Sequence, residues 1–336
     1  MRPSFAPRLI NKSPFDDPGV LITFAFQKRA ILFDLGDVRA LSSRDLLKVS
    51  HVFVTHAHMD HFLGFDHLVR ILLGRDKDLH VYGPAGFIQK VAARLSGYTW
   101  NLVENYENRF CITATEVRES SLRSQTFLCQ DGFAAREPVE ESGFDGVLLD
   151  EPGFRVRARI LDHKVPCLGL ALEEKFHVNV MADKLEAMGL STGPWLSRLK
   201  EALYAGDAPD TELSVPLPDG GRRLFTLGDL AARITIKTLG QKIAYITDAA
   251  YHGENEARIL DLAKDADVLF IEAAFSHEDR LTAAEKSHLT ALQAGALARA
   301  AGARQIVLLH FSPRYTDREQ LLIQEAQRAF TAQPQG

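Results

Sequence analysis

The sequence predicts an α/β domain, sheets covered by helices. Two observations carry this: short β-rich runs recur along the chain, and several are followed by segments of helical periodicity. A third says where function would sit, because four of the runs end on histidine or aspartate.

Taken in order, the run 28–35 (KRAILFDL) is apolar at its centre and stops at Gly36. Run 51–55 leads straight into HAHMDH, and 79–82 (LHVY) ends at the breaker pair Gly83-Pro84. In 154–161 (FRVRARIL), Phe154, Val156, Ala158 and Ile160 alternate with Arg155, Arg157 and Arg159. That pattern predicts a strand with one wet face. Runs 242–247 (KIAYIT), 268–271 (VLFI) and 305–309 (QIVLL) complete the strands. Helical spacing marks 88–95, 255–263, 291–301 and 318–330. Between 175 and 240 the pattern is poorly periodic and broken by Gly193-Pro194, Pro209, Pro216, Pro218 and Gly220-Gly221. With no linker-like composition, this segment is expected to be an arm inserted in a single domain spanning 1–336.

Composition bounds the function. At 46% hydrophobic and 25% charged, the 336-residue chain can bury a sizeable core. A formal net charge of −5 gives no global attraction to nucleic acid, so RNA binding would need a local basic patch. Cys111, Cys129 and Cys167 are too few and too scattered for a disulfide framework or a metal knuckle, which favours a reducing compartment. With no signal-like apolar core near Met1 and no stretch of membrane-spanning length, a cytoplasmic location is expected.

The strand ends carry the chemistry. VTHAHMDH at 54–61 offers His56, His58, Asp60 and His61; His163 follows run 154–161, Asp248 follows 242–247, and His310 follows 305–309. Ligands of open α/β sheets collect at the carboxyl ends of strands. A lone histidine there is usually a packing residue, but four chelating side chains within six positions have little structural use. Imidazole plus carboxylate suits divalent cations, with Zn²⁺ the default and Mn²⁺ or Fe²⁺ as alternatives. His56 and His58 can face one ion while Asp60 and His61 point to a second. Asp248 is the natural bridge, holding two cations about 3.5–4 Å apart around a shared oxygen nucleophile. His51, His67, His80, His177, His252 and His277 receive no role.

HxHxDH after an apolar strand, with a later His, Asp and His, resembles the metallo-β-lactamase superfamily, and within it ribonuclease Z, the tRNA 3′-processing endoribonuclease. The likeness also rests on Tyr82-Gly83-Pro84, HKVPCLG at 163–169, GPWLSRLK at 193–200, FIEAAF at 270–275, HLT at 288–290 and LLHFSPRY at 308–315. The resemblance implies a four-layer αββα sandwich with two divalent ions at one sheet edge. It gives one ion His56, His58 and His163, the other Asp60, His61 and His310, with Asp248 between. Asp60, Glu272 and His288 take the catalytic roles, Glu272 and His288 as the pair that passes a proton to the departing oxygen. Ser312, Arg314 and Tyr315 become candidate phosphate contacts, or a loop staple.

His288 can be read two ways. If Thr290 and Gln293 cap the helix 291–301, it lies in the loop ahead of that helix and can reach the site. A start at Thr282 with Glu285 would bury it inside a helix.

The chain also departs from the resemblance. The early loop reads LINKSPFDDPGVLITF, without the family's Gly-rich turn and PxKxRN segment, and Thr247 stands where a Gly usually precedes the bridging Asp. Charges in 193–240 balance, so a strong grip on tRNA by the arm is not evident; the stripe Arg155, Arg157, Arg159 is the better basic patch. The expectation is a two-metal phosphodiesterase cleaving precursor tRNA at its 3′ end, with a homodimer as assembly. One alternative is a hydrolase of the same fold acting on a small phosphodiester, ester or thioester. Another is a metal-holding sensor without turnover, favoured if Glu272 and His288 stand far from the ligands.

Overall fold

The computed structural model describes residues 4–25 and 27–332. Among these, Phe5–Leu9, Val20–Phe24, Ala30–Phe33, Val49–Phe53, Lys77–Pro84, Phe110–Val117, Ser121–Leu128 and Ala135–Gly143 form an eight-stranded sheet in that order. Its centre, from Ala30–Phe33 to Phe110–Val117, is parallel. A six-stranded sheet runs Ile306–Leu309, Val268–Glu272, Lys242–Ile246, Pro166–Glu174, Phe154–Asp162, Val147–Asp150, and its first three strands are parallel.

Side-chain alternation sets the layers. Leu32, Val52, Val54 and Val81 face outward from the first sheet and pack against Phe65, Leu68, Leu72 and Val91 of two helices. Ala244, Ile246, Leu269 and Ile271 of the second sheet pack against Ile259, Leu262, Leu297 and Leu322 of three others. The opposite faces meet each other: Phe33 of the first sheet lies 6.0 Å, centroid to centroid, from Tyr245 of the second, and 5.9 Å from Phe53. The result is the expected helix–sheet–sheet–helix sandwich. Each fully buried large apolar side chain in it contributes about 1.5–3 kcal/mol of transfer free energy.

The arginine stripe reads differently in the fold. Leu161, on the same face as Arg157 and Arg159, is buried under the helix Gly253–Ala263. Asp261 of that helix pairs with Arg157 at 3.0 Å and Arg159 at 2.8 Å, and Arg155 pairs with Glu173 at 2.7 Å. The face is flanked by a helix rather than solvated, and all three guanidinium groups already have carboxylate partners.

Backbone contacts divide the chain into two compact units. One holds Leu149–Val156 and Leu172–Gln241 together with Ser4; the other holds Phe5–Leu148, Arg157–Ala171 and the chain from Lys242 onward. The segment read as poorly periodic is in fact well folded. It contains the helices Ala182–Ala187, Trp195–Ala205 and Leu227–Ile234 and two antiparallel strand pairs. Trp195, Leu199, Ala202 and Leu203 are buried at helical spacing, against Val178, Leu185, Leu230 and Ile234. Its density of Pro and Gly, all at element boundaries, hid this period. Among the described residues no helix is long and apolar enough to cross a membrane.

One buried histidine outside the ligand cluster predicts an acid limb in stability. His51 stacks on His80 of the neighbouring strand at 4.7 Å, and its Nδ1 accepts from Arg29. Burial, then the charges of His80, Arg29 and Lys77, push its pKa from 6.5 down to about 3. The folded state therefore binds a proton later than the unfolded one. The contribution is intact above pH 6.5 and is lost as pH falls from there toward about 3, by about 1.4 kcal/mol per pH unit. His51→Phe, which keeps the stack, should make the loss of stability between pH 6.5 and 5.5 smaller by about 1 kcal/mol in denaturant titrations. Equal pH slopes for the two proteins would contradict this.

Candidate metal centre

The strand ends converge. Thr55, His56 and His58 follow Val49–Phe53, and His61 lies in the short helix Met59–Phe62 that His58 caps. His163 sits in the turn after Phe154–Asp162, and Asp248 follows Lys242–Ile246. Glu272 ends Val268–Glu272, and His310 follows Ile306–Leu309. Glycine permits the crowding: a Cβ on Gly36 would stand 2.6 Å from the Asp17 Cβ and 2.8 Å from the Asp60 carbonyl. Asp34, Asp248 and His310 all take left-handed backbone, with φ of 60°, 53° and 58°. Each such position costs about 1–3 kcal/mol and persists because its surroundings enforce it, as at functional sites elsewhere.

Asp248 is the hub. Its Oδ2 lies 3.2 Å from Nε2 of His56, 3.3 Å from Nε2 of His61 and 3.5 Å from Nε2 of His163; its Oδ1 lies 3.2 Å from Nδ1 of His310. Asp60 Oδ2 reaches His61 Nε2 at 3.3 Å and His310 Nε2 at 3.2 Å. Three overlapping donor sets result, His56–His58–His163–Asp248, Asp60–His61–His310 and Asp248–Glu272–His288–His310, each with its ligand atoms within 4.8 Å of one another. The first two group the same residues as the division implied by the resemblance, and the third joins Asp248 and His310 to Glu272 and His288.

The residues fit divalent cations. Nε2 of His56, Nε2 of His61 and Nδ1 of His310 are buried with no hydrogen-bond partner, which is costly for a polar atom unless a cation takes its lone pair. The remaining ring nitrogens are tied so that the lone pairs aim inward. His61 Nδ1 donates to Asp34 Oδ2 at 2.8 Å, and His163 Nδ1 donates to the Ser287 carbonyl at 2.8 Å. Outer tethers of this kind usually fix ligand histidines.

Charge tells the same story. Burial by itself would raise the Asp248 carboxyl, but the charges of His310 and His61 hold it well below the usual carboxylate range. Burial works against protonation of His310, yet Asp248, Asp60 and Glu272 push its pKa up to about 10. The buried carboxylates thus stay ionised and draw protons onto His61 and His310; bound cations would displace those protons.

Glu272 and His288 stand against this cluster. Their helices resolve the two readings of His288: Thr290 caps Ala291–Ala300 with a full capping box, and a separate helix, Arg280–Lys286, ends at Ser287. His288 lies in the loop between them. Its Nδ1 donates to Glu272 Oε2 at 2.8 Å and is 3.8 Å from Asp248 Oδ1. Glu272, wholly buried, also accepts from the amides of Ala249 at 2.9 Å and Leu289 at 3.1 Å. After the cost of burial, the charge and hydrogen bond of His288 bring its pKa down to about 2. This closeness removes the premise of the sensor alternative.

A pocket of about 270 Å³ opens over these groups, lined by Asp60, His288, His310, Ser312, Lys286, Asp16 and Asp17 among others. Ser312 belongs to it, but the other two candidate phosphate contacts do not. Tyr315 is 1% exposed, and its hydroxyl donates to Asp279 and accepts from the Ser276 amide at 3.0 Å. It staples two loops. Arg314 lies 3.4 Å from Asp279 and over the Phe275 ring. Lys286 is the cation that the pocket presents instead.

Sequence reasoning missed the outer layer. Asp34, fully buried, accepts from His61, from the Thr55 amide at 2.7 Å and hydroxyl at 3.0 Å, and from the Tyr245 hydroxyl at 2.9 Å. Its signal was present, an acid ending the apolar run 28–35, at a strand end like the ligands.

Comparisons with known proteins agree with the geometry. Residues 31–144 and 202–311 match the family described as Beta-lactamase superfamily domain. A Ribonuclease Z from Deinococcus radiodurans is 32% identical over 306 residues, covering 90% of this chain and 88% of that one. A Ribonuclease Z from Listeria innocua is 30% identical over 93% of this chain and 88% of its own. Among solved structures, the short form of human tRNase Z superposes with a TM-score of 0.51 at 19% identity, over 92% of this chain and 93% of its own. A metallo-β-lactamase fold protein from Bacillus subtilis gives 0.54 at 15% identity, over 97% and 93%.

Proposed function

The chain belongs to the β-lactamase superfamily, close to the ribonucleases Z, and from that premise we propose that it is a metal-dependent endoribonuclease that cuts precursor tRNA at its 3′ end. The observation that carries the reading is the Glu272–His288 pair, held at 2.8 Å beside two convergent donor sets. Attack on a phosphodiester expels an alkoxide, a poor leaving group that a positioned acid assists.

In this reading His56, His58 and His163 hold one divalent cation, Asp60, His61 and His310 the other, and Asp248 both. When bound, such ions lower the pKa of a water and neutralise charge developing on the phosphate. The protein's own groups do the rest. Asp248 and Asp60 orient the imidazoles. Glu272, accepting two amides as well as His288 Nδ1, orients the ring and favours its doubly protonated form, from which His288 Nε2 hands a proton to the departing oxygen. Ser312 and Lys286 line the mouth where a substrate phosphate enters. The early loop lacks the PxKxRN segment of the ribonuclease Z pattern, and its Asp16 and Asp17 line this pocket, so contacts to the tRNA end differ from that pattern. The segment 175–240 is read as an inserted arm. Zinc is taken as the ion, with Mn²⁺ or Fe²⁺ as alternatives, the cytoplasm as the location and a homodimer as the assembly.

The test is cleavage of a precursor tRNA alongside bis(p-nitrophenyl) phosphate, before and after chelation. The expected result is a single cut at the 3′ end of the tRNA body, lost on chelation and restored by Zn²⁺ or Mn²⁺. Metal-dependent turnover of the small ester with the precursor left intact would replace the nuclease by the small-phosphodiester hydrolase.

A further inference from the structure

Tyr245 is tied to one of the candidate ligand side chains through a single acid. It is wholly buried on the second sheet, its ring against Phe33 of the first. Its hydroxyl donates across the sandwich to Asp34 Oδ2 at 2.9 Å. The same oxygen accepts from His61 Nδ1 at 2.8 Å and from the Thr55 hydroxyl at 3.0 Å. A carboxylate held by three donors on one oxygen cannot swing, so the imidazole hanging from it cannot either. The phenol comes from the strand Lys242–Ile246, just ahead of Asp248, whose Oδ2 is 3.3 Å from His61 Nε2. One residue thereby fixes both the orientation of His61 and the registration of the Asp34 strand end against the Asp248 strand end.

We propose that Tyr245 is a positioning residue for the cation bound by Asp60, His61 and His310, acting through Asp34 and leaving the cation of His56, His58 and His163 untouched. This rests on the two-cation reading above. The physical ground for selectivity is connectivity. The tether of His163 runs elsewhere, its Nδ1 donating to the Ser287 carbonyl, and His56 reaches Asp34 only indirectly, its Nδ1 lying 3.2 Å from the Thr55 hydroxyl and 3.9 Å from Cys167 Sγ. Among the described histidines, His61 alone bonds directly to the carboxylate that Tyr245 clamps. Loss of an outer partner of a metal-bound histidine commonly costs about 10–100-fold in affinity; Tyr245 stands one bond further out, so the lower end applies.

The experiment titrates metal-stripped protein with Co²⁺, following the visible absorption bands and the heat of binding. Wild type should bind two equivalents. In Tyr245→Phe one dissociation constant should rise about tenfold while the other stays within twofold. Tyr204→Phe, which deletes a phenol that donates to Glu174 at 3.1 Å, serves as a control for losing a half-buried hydroxyl elsewhere and should leave both constants unchanged. If Tyr245→Phe folds poorly, Asp34→Asn keeps the shape but weakens the bond to His61 Nδ1, and it should weaken the same cation. Two constants unchanged, or both weakened alike, would make Tyr245 a packing residue and overturn the inference. Failure of the wild-type protein to bind any Co²⁺ would instead overturn the functional reading on which it stands.

Discussion

Replacing Asp248 by Ala should strip both cations from the protein and lower phosphodiester hydrolysis by about three orders of magnitude or more. The size follows from its place. Among the described residues, Asp248 is the carboxylate within 3.5 Å of imidazoles from both candidate cation sites, and at 2% exposure its charge is not replaced by bulk solvent. Without it, the imidazoles of His56, His61, His163 and His310 face one another across a space with no central anion. Ala at φ of 53° also carries backbone strain, about 1 kcal/mol, which by itself would not empty the site. Asp248→Asn separates the two effects, since Asn tolerates this backbone but supplies no charge. It should keep the fold and still lose metal. Metal content per chain after dialysis, read beside turnover, decides. A variant that retains two ions would refute Asp248 as the bridge.

The second large effect belongs to His288. His288→Ala should slow cleavage of a ribonucleotide ester about 10²–10⁴-fold, the usual range for removal of a positioned general acid. On bis(p-nitrophenyl) phosphate the loss should be within severalfold, because p-nitrophenolate departs without a proton. Glu272→Gln should act in the same direction but less strongly. It keeps the shape while removing the charge that, after the cost of burial, raises the His288 pKa. Equal losses on the two substrates would assign His288 to metal binding or packing rather than proton delivery.

The candidate ligands were legible because each requirement is local. A chelating side chain must follow an apolar strand, and both facts are visible within ten residues, as at 51–61 and 305–310. Helices with a clean apolar stripe, such as Phe87–Ser96, were legible for the same reason. What escaped depends on distant partners. The hairpin Phe110–Val117 with Ser121–Leu128 has inner and outer faces only because strands Lys77–Pro84 and Ala135–Gly143 flank it. Arg157 and Arg159 read as a basic stripe until Asp261, over a hundred positions downstream, arrives on the covering helix. Asp34 and Tyr245 are 211 positions apart, and neither carries a motif. Tyr315 sat inside the most distinctive motif of the chain, HFSPRY, and the sequence could not tell a phosphate contact from a staple; its bond to Asp279 could be seen only in the fold.

The central claim is that seven side chains from four strand ends cage two cations around Asp248. Anomalous diffraction from crystals of the metal-loaded protein, measured at the absorption edge of the bound element, tests it most directly. The account predicts two peaks, one about 2.0–2.2 Å from the ring nitrogens of His56, His58 and His163, the other equally close to Asp60, His61 and His310, each touching a carboxylate oxygen of Asp248. A single peak, or peaks that leave His163 or His310 beyond bonding distance, would contradict it.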